Sequence, residues 1–278
     1  MMEELFDSVS LEGAWHVREV GTGRALGSYE DTPVALASVG KVPLALALHR
    51  QADRGLVDLR RSVELRPDGR SAGTTGISAM QDSVILSLRD AAYLALTISD
   101  NAAADALWDA TTPDAIAVEL AALGLNAIRL QQPMRDLYDA TVFEGANNNV
   151  EARHTDWRCL DLVHANHASP KALTQMLELI WTDQAASPAS CAYLRNLMSR
   201  QVWHERLARA FPALDISVAG KTATFLSLRH EIGVVSYPDG RHYAVAVLTH
   251  SLTAMHDHRA DRVIGDVTRR AIAGLRRR

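Results

Sequence analysis

Both ends of the chain read as strand and its middle reads as helix, and this order limits the fold more than any other feature. Residues 14–20 (Ala-Trp-His-Val-Arg-Glu-Val) are strand-like, Gly21-Thr22-Gly23 supplies a turn, and residues 24–30 return as a second strand. Far along the chain, residues 214–225, 230–237 and 242–249 read as three more strands, with Pro238-Asp239-Gly240 turning between the last two. Residues 257–275 then have the spacing of an amphipathic helix. Between the two strand sets lie helical signals. From Ser38 the run Val42, Leu44, Ala45, Leu46, Leu48 predicts a helix to about Asp53. Ser87 can cap a helix over 88–98, Thr112-Pro113 opens one to about Leu123, and Ser169-Pro170 opens another to about Thr182. Residues 56–86 read mainly as loop, and 126–168, which include Asn147-Asn148-Asn149, lack clear periodicity. A stretch of that length inside a compact domain is usually functional or hides a short helix. The expectation is an α/β chain with one antiparallel sheet formed by both chain ends and flanked by helices. Its sheet lobe would span 1–55 and 201–278, with an all-helical lobe over 56–200 inserted into it.

Composition excludes several classes. With 278 residues, 47% hydrophobic and 22% charged, the chain is neither disordered nor collagen-like. No apolar run approaches the ~20 residues that a membrane helix needs. A net charge of −4 gives a nucleic-acid role little support, and Arg276-Arg277-Arg278 reads as a solvated helix end. Cys159 and Cys191 cannot build a disulfide framework or a zinc site alone. The acidic start Met1-Met2-Glu3-Glu4 does not read as an export signal, so a cytoplasmic location is expected unless a leader was removed. His154, His164 and His167 with Asp156 and Asp161 match no recognised metal-ligand spacing, nor do His250, His256 and His258. No metal and no cofactor is expected. Trp108, Trp157, Trp181 and Trp203 read as packing residues.

One count directs attention to chemistry. Of 29 basic residues only three are lysines, Lys41, Lys171 and Lys221. Lys can lose its proton near neutral pH when desolvated, and Arg cannot. Ser38-Val39-Gly40-Lys41 sets a serine at a predicted helix start with a lysine one turn on, where the amine can approach the hydroxyl. Ser99-Asp100-Asn101 falls between two helical segments, and Lys221-Thr222-Ala223 follows Gly220 on an edge-type strand. Each pattern alone has a plain reading, respectively a helix cap, turn chemistry and an exposed strand lysine. Together, in this order and using two of the three lysines, they are far more specific.

The trio resembles the signature of class A β-lactamases and penicillin-binding proteins, Ser-x-x-Lys, Ser-Asp-Asn and Lys-Thr-Gly. The order of elements resembles that family over nearly the whole chain. The resemblance implies that Ser38 is the acylated nucleophile, Lys41 its base or proton relay, and Ser99 the proton donor to the leaving group. It implies that Asn101 contacts substrate and Lys41, and that Lys221 and Thr222 hold a substrate carboxylate. The N–H groups of Ser38 and Thr224 would form the oxyanion hole. Arg229 would stand where many members place a carboxylate-binding arginine. The partner implied is a small molecule, with neither nucleic acid nor membrane.

Two departures stand out. Ala223 replaces the family's glycine, and its methyl is expected to narrow the groove. In the omega loop, Arg129-Leu130 and Leu137 fit the family frame, which then places Met134 where class A enzymes have the deacylating Glu and Tyr138 where they have Asn. Met cannot accept a proton; Asp136, Asp139 and Glu144 are the nearby alternatives. The sequence therefore supports a serine acyl-transfer hydrolase acting on an ester, amide or lactam. A class A-like β-lactamase with a displaced base and a ligand-binding relative that is only slowly acylated stand beside it.

Overall fold

The computed structural model describes residues 2–139, 160–252 and 258–277. Its centre is a five-stranded antiparallel sheet. The strands are β1 (Leu11–Glu19), β2 (Ala25–Ser28), β7 (Ser217–Phe225), β8 (Leu228–Ser236) and β9 (His242–Ser251), in the order β2-β1-β9-β8-β7. The two ends of the chain thus meet at β1 and β9, where Leu11 pairs with Ser251 and Glu19 with Tyr243. β9 is buried from Tyr243 to Thr249, as expected of a central strand covered on both faces. β7 is an outer strand.

The turn between β7 and β8 is only Leu226-Ser227, with Phe225 opposite Leu228 and Leu226 at φ 49°. It contains no Gly, Asn or Asp, the usual residues of such a turn. This is why β8 begins two residues earlier than its composition suggests.

Helices cover both faces. On one face lie α2 (Lys41–Asp53), α3 (Leu88–Thr97), α4 (Asn101–Trp108), α7 (Pro170–Trp181) and α8 (Pro188–Ser199). Their apolar residues form one core with Ala223, Ile232, Val234, Ala244, Ala246 and Leu248 of the sheet. On the other face, α1 (Glu3–Asp7), α9 (Leu207–Ala210) and α10 (His258–Arg277) bury a second core against Trp15, Val17, Val235, Val245 and Val247. α2 is buried on nearly every side, which suits its apolar run from Val42 to Leu48. Helix starts follow the capping residues. Ser87, Thr112, Ser169 and Ser187 each accept a backbone N–H three residues on, and Pro fills the first helical position at 113, 170 and 188.

The inserted segment is not wholly helical, contrary to expectation. Besides α5 (Pro113–Ala121) and a helical stretch α6 over 134–139, it contains a ribbon of β4 (Ser62–Leu65) and β5 (Val84–Ser87). β3 (Val34–Ala35) also pairs with β6 (His167–Ala168). α7 packs on the sheet itself, where Thr174 meets His16 and Glu178 pairs with Arg18.

Candidate active site

The three motifs converge at the outer edge of β7. Ser38 lies in a 3-10 turn, Ala37–Gly40, that runs directly into α2, rather than in the α-helix itself. Ala37 before it has φ 44°, in the left-handed region that a side chain disfavours. Lys41 opens α2 and is fully buried. Its amine donates to Ser99 O at 2.6 Å, Asn101 Oδ1 at 2.7 Å and Ser99 Oγ at 3.3 Å.

Ser99 bends the chain between α3 and α4 with φ 62°. The bend is held by Asp100, which accepts from Ile77 N, Ser78 Oγ and Ala103 N. Lys221, fully buried on β7, donates to Ser99 Oγ at 2.9 Å and to Thr222 O at 2.8 Å. One serine hydroxyl is therefore held between two buried amines. The third lysine, Lys171, is an exposed partner of Glu30 and Asp31.

Burial lowers the Lys41 amine to about 7, against the opposing charges of Asp100 and Asp105. Burial also takes Lys221 well below the ordinary lysine range, and the neighbouring Lys41 charge adds to that fall. Desolvation disfavours an ammonium, and a second one nearby disfavours it further.

A cleft of about 780 Å³ opens over this cluster, lined by Ser38, Ser99, Asn101, Thr222, Thr224 and Arg229 among others. Because side chains alternate along β7, Lys221 enters from the face that carries α2 and α4. Thr222 and Thr224 belong to the opposite face, so the cleft wraps around the strand edge. Arg229, opposite Thr224, donates to the carbonyls of Leu226 and Leu228.

Several lining residues escape a motif search. Arg206 is buried, pairs with Asp261 at 2.6 Å, donates to the carbonyls of Ala223 and His230, and reaches Thr224 Oγ1. It thus holds the rim beside Thr224 with a guanidinium that sequence spacing could not single out among 26 arginines. Trp203, 37% exposed, and His258 also line the cleft, where the sequence marks Trp203 only as a packing residue and His258 only as outside any metal-ligand spacing.

The match to known proteins follows this geometry. The β-lactamase enzyme family matches residues 2–275. The β-lactamase regulatory protein BlaB of Streptomyces cacaoi is 33% identical over 305 residues, covering 99% of this chain and 97% of its own. The chain belongs to the β-lactamase enzyme family. It is a family of serine hydrolases that work through an acyl-enzyme, the class to which the three motifs point. The fold is shared with the β-lactamase of Sphaerobacter thermophilus (TM-score 0.81, 24% identity, 98% of this chain and 96% of that one). It is shared equally with PBP-A (TM-score 0.81, 20% identity, 100% and 96%).

Against the family pattern, this β-lactamase relative differs at two expected places. The Ala223 methyl is buried in the core, 1% exposed, and is not part of the cleft wall, so the narrowing expected of it does not occur. Met134 is also a core residue, 5% exposed; Asp105 accepts its backbone N–H at 2.6 Å and that of Arg135. Tyr138, at the frame's Asn position, does line the cleft and packs edge-on against Phe225. Asp136 and Asp139 are exposed and not in the cleft wall, and Glu144 lies outside the described residues. Asn166 ties the two ends of this loop, accepting from Gln131 N and Gln132 N and donating to Gln132 O.

Among the described residues no group of three His, Cys, Asp or Glu side chains could hold a metal ion. His154, Asp156, Trp157, Cys159, His256 and Asn147-Asn148-Asn149 lie outside them. No helix among the described residues is long and apolar enough to cross a membrane.

Proposed function

We propose that the chain is an acyl-transfer hydrolase that acylates Ser38 and releases bulky acyl groups slowly. The observation that carries this reading is the Ser99 hydroxyl held between the Lys41 and Lys221 amines at the edge of the cleft that Ser38 lines. Neutral Lys41 takes the Ser38 proton as Oγ attacks the substrate carbonyl. The Ser38 and Thr224 N–H groups receive the oxyanion. The Lys41 ammonium then returns its proton through Ser99 to the leaving nitrogen or oxygen, so the group departs protonated and Lys41 is neutral again. Asn101 orients Lys41. Lys221, Thr222, Arg229 and Arg206 hold a substrate carboxylate, which restores the charge that burial takes from Lys221. The cleft would lie between a sheet lobe (1–55 and 201–278) and a helical lobe (56–200).

With Met134 packed in the core, the omega-loop position that holds the family's deacylating Glu supplies no carboxylate, and the carboxylates that do line the cleft, Glu205 and Asp261, belong to the segment before α9 and to α10. Small esters, which leave water room to enter, turn over faster than β-lactams. The BlaB relative is described as a β-lactamase regulatory protein. That favours a second reading, in which the long-lived acyl-enzyme is itself the signal and turnover is incidental.

Intact-protein mass spectrometry after incubation with penicillin and with an activated ester tests the proposal. A penicilloyl adduct that persists, and an ester adduct that clears, are expected. Ser38→Ala should give neither adduct nor hydrolysis, and unchanged turnover in that variant removes the mechanism.

A further inference from the structure

Glu231 is a buried carboxylate that the acyl-transfer steps leave unused. It stands opposite Thr222 on β8, on the face of the sheet away from Lys41 and Ser99. Its Oε2 accepts from Leu207 N at 2.7 Å and its Oε1 from Gln201 Nε2 at 3.0 Å. Gln201 in turn accepts the Thr222 N–H. Thr222 is on the outermost strand, where a backbone N–H must find a partner other than a neighbouring strand.

The path from Glu231 to that edge crosses Gly220. A Cβ on residue 220 would lie 2.7 Å from Glu231 Oε1 and 3.3 Å from Gln201 Nε2. A glycine before Lys221-Thr222 is what lets the carboxylate reach across the strand. Each link of the relay has fixed polarity. Thr222 N–H donates to the Gln201 oxygen, the Gln201 amide donates to Glu231, and Leu207 N–H donates to its other oxygen. Only a carboxylate accepts at both ends; an amide presents a donor at one of them.

We propose that Glu231 is a positioning residue of the acyl-transfer site: through Gln201 it fixes the Lys221–Thr222 segment, and from behind the strand it supplies the counter-charge that keeps Lys221 an ammonium when a substrate carboxylate arrives. The proposal rests on the reading of Lys221 and Thr222 as the carboxylate holders. The charged groups around Glu231 are Lys221 from β7 and Arg206 from the segment before α9. Its pair on β9, Val247, is uncharged, and Asp261 of α10 is engaged by Arg206. Burial raises the Glu231 carboxyl to about 7 while these cations oppose the rise. Its charge is thus adjustable near neutrality.

The test compares two ester probes alike except that one carries a carboxylate and the other its methyl ester. The parent protein should prefer the carboxylate probe. Glu231→Gln should cut that preference by about tenfold and move the alkaline limb of kcat/KM for the carboxylate probe down by about one pH unit. The methyl ester should keep its rate within about threefold, since a lost charge contact acts on the anion alone. Glu231→Asp, which keeps the charge and shortens the reach, should raise KM for the carboxylate probe without moving the limb, and Gln201→Leu should do the same. Equal losses on both probes, or an unmoved limb in folded Glu231→Gln, would overturn the proposal. If Glu231→Gln does not fold, the other two variants decide by the same split between probes. A parent protein indifferent to the carboxylate sinks the reading of Lys221 and this proposal together. Parental preference that survives every variant sinks only the role of Glu231.

Discussion

The sharpest consequence of the site is the pH at which Ser38 becomes a nucleophile. An ordinary lysine near 10.4 is neutral in only about one molecule in 2,500 at pH 7. With Lys41 lowered to about 7 by burial, half the molecules carry the neutral amine at that pH. This is a gain of about a thousandfold in competent base. The sign follows directly. Below 7 Lys41 is protonated and cannot accept the Ser38 proton, so the acylation rate should fall about tenfold per pH unit; above 7 it should level off. Stopped-flow measurement of the acylation burst with an activated ester between pH 5 and 9 reads this limb without interference from release. Asp100 and Asp105 both favour the ammonium, so Asp100→Asn should move the limb to lower pH. Lys41→Arg should leave no burst, because a guanidinium stays charged throughout the range. A burst rate that is flat from pH 5.5 to 7.5, or a limb above 9, would show that Lys41 is not the base.

Further expectations concern the cleft walls. Arg206→Ala takes the close guanidinium partner from Asp261, leaving it only His258 at 3.7 Å, and removes a donor from two buried carbonyls, so unfolding should become easier by about 3–5 kcal/mol in urea denaturation. Arg206→Lys should fold better but raise KM for carboxylate-bearing substrates, since an ammonium cannot fork across them; unaltered KM would remove Arg206 from substrate binding. Met134→Glu buries a carboxylate in a core position close to Asp105, whose own carboxyl burial already raises. It should lower Tm by several degrees. Combined with Tyr138→Asn, which takes a ring off the cleft wall, it should speed loss of the penicilloyl adduct by about 10²-fold or more; a double variant as slow as the parent would show that residue 134 does not reach the acyl group.

Much of the site was legible because its chemistry is local in sequence. Ser38-x-x-Lys41 and Ser99-Asp100-Asn101 each fall within one turn of chain, and the scarcity of lysine marked Lys41 and Lys221. The strands at both ends were legible from alternation and turn residues. What escaped depends on contacts between distant segments. Arg206 and Asp261 meet only once α10 lies across the sheet, and Trp203 reaches the cleft from a connection and His258 from the first residue of α10, neither within a motif of its own. The β4–β5 ribbon joins two short segments separated by about 20 residues of loop, too little periodicity to announce a pair. The start of α8 is marked in the sequence by Ser187-Pro188, which repeats the capping device at 112 and 169. The motif frame assigns Ala223 and Met134 by position along the chain, but both side chains turn into the core. A frame fixes position along the backbone, whereas the side of a strand or helix on which a side chain falls is settled by packing.

The central position of β9 has a consequence for how the chain is made. β9 hydrogen-bonds to β1 across about 230 residues, and without it β1 and β2 are a two-stranded ribbon with no partner sheet. Such a hairpin is marginal in water. During synthesis the first 30 residues must wait until nearly the whole chain has left the ribosome, and so must the closing of the cleft edge by β7, which is joined to β1 only through β8 and β9. Contacts this distant slow folding and keep apolar strands exposed meanwhile. A protein truncated before His242 should accumulate as aggregate rather than as a smaller folded unit, and the intact chain should fold more slowly than a helical protein of its length.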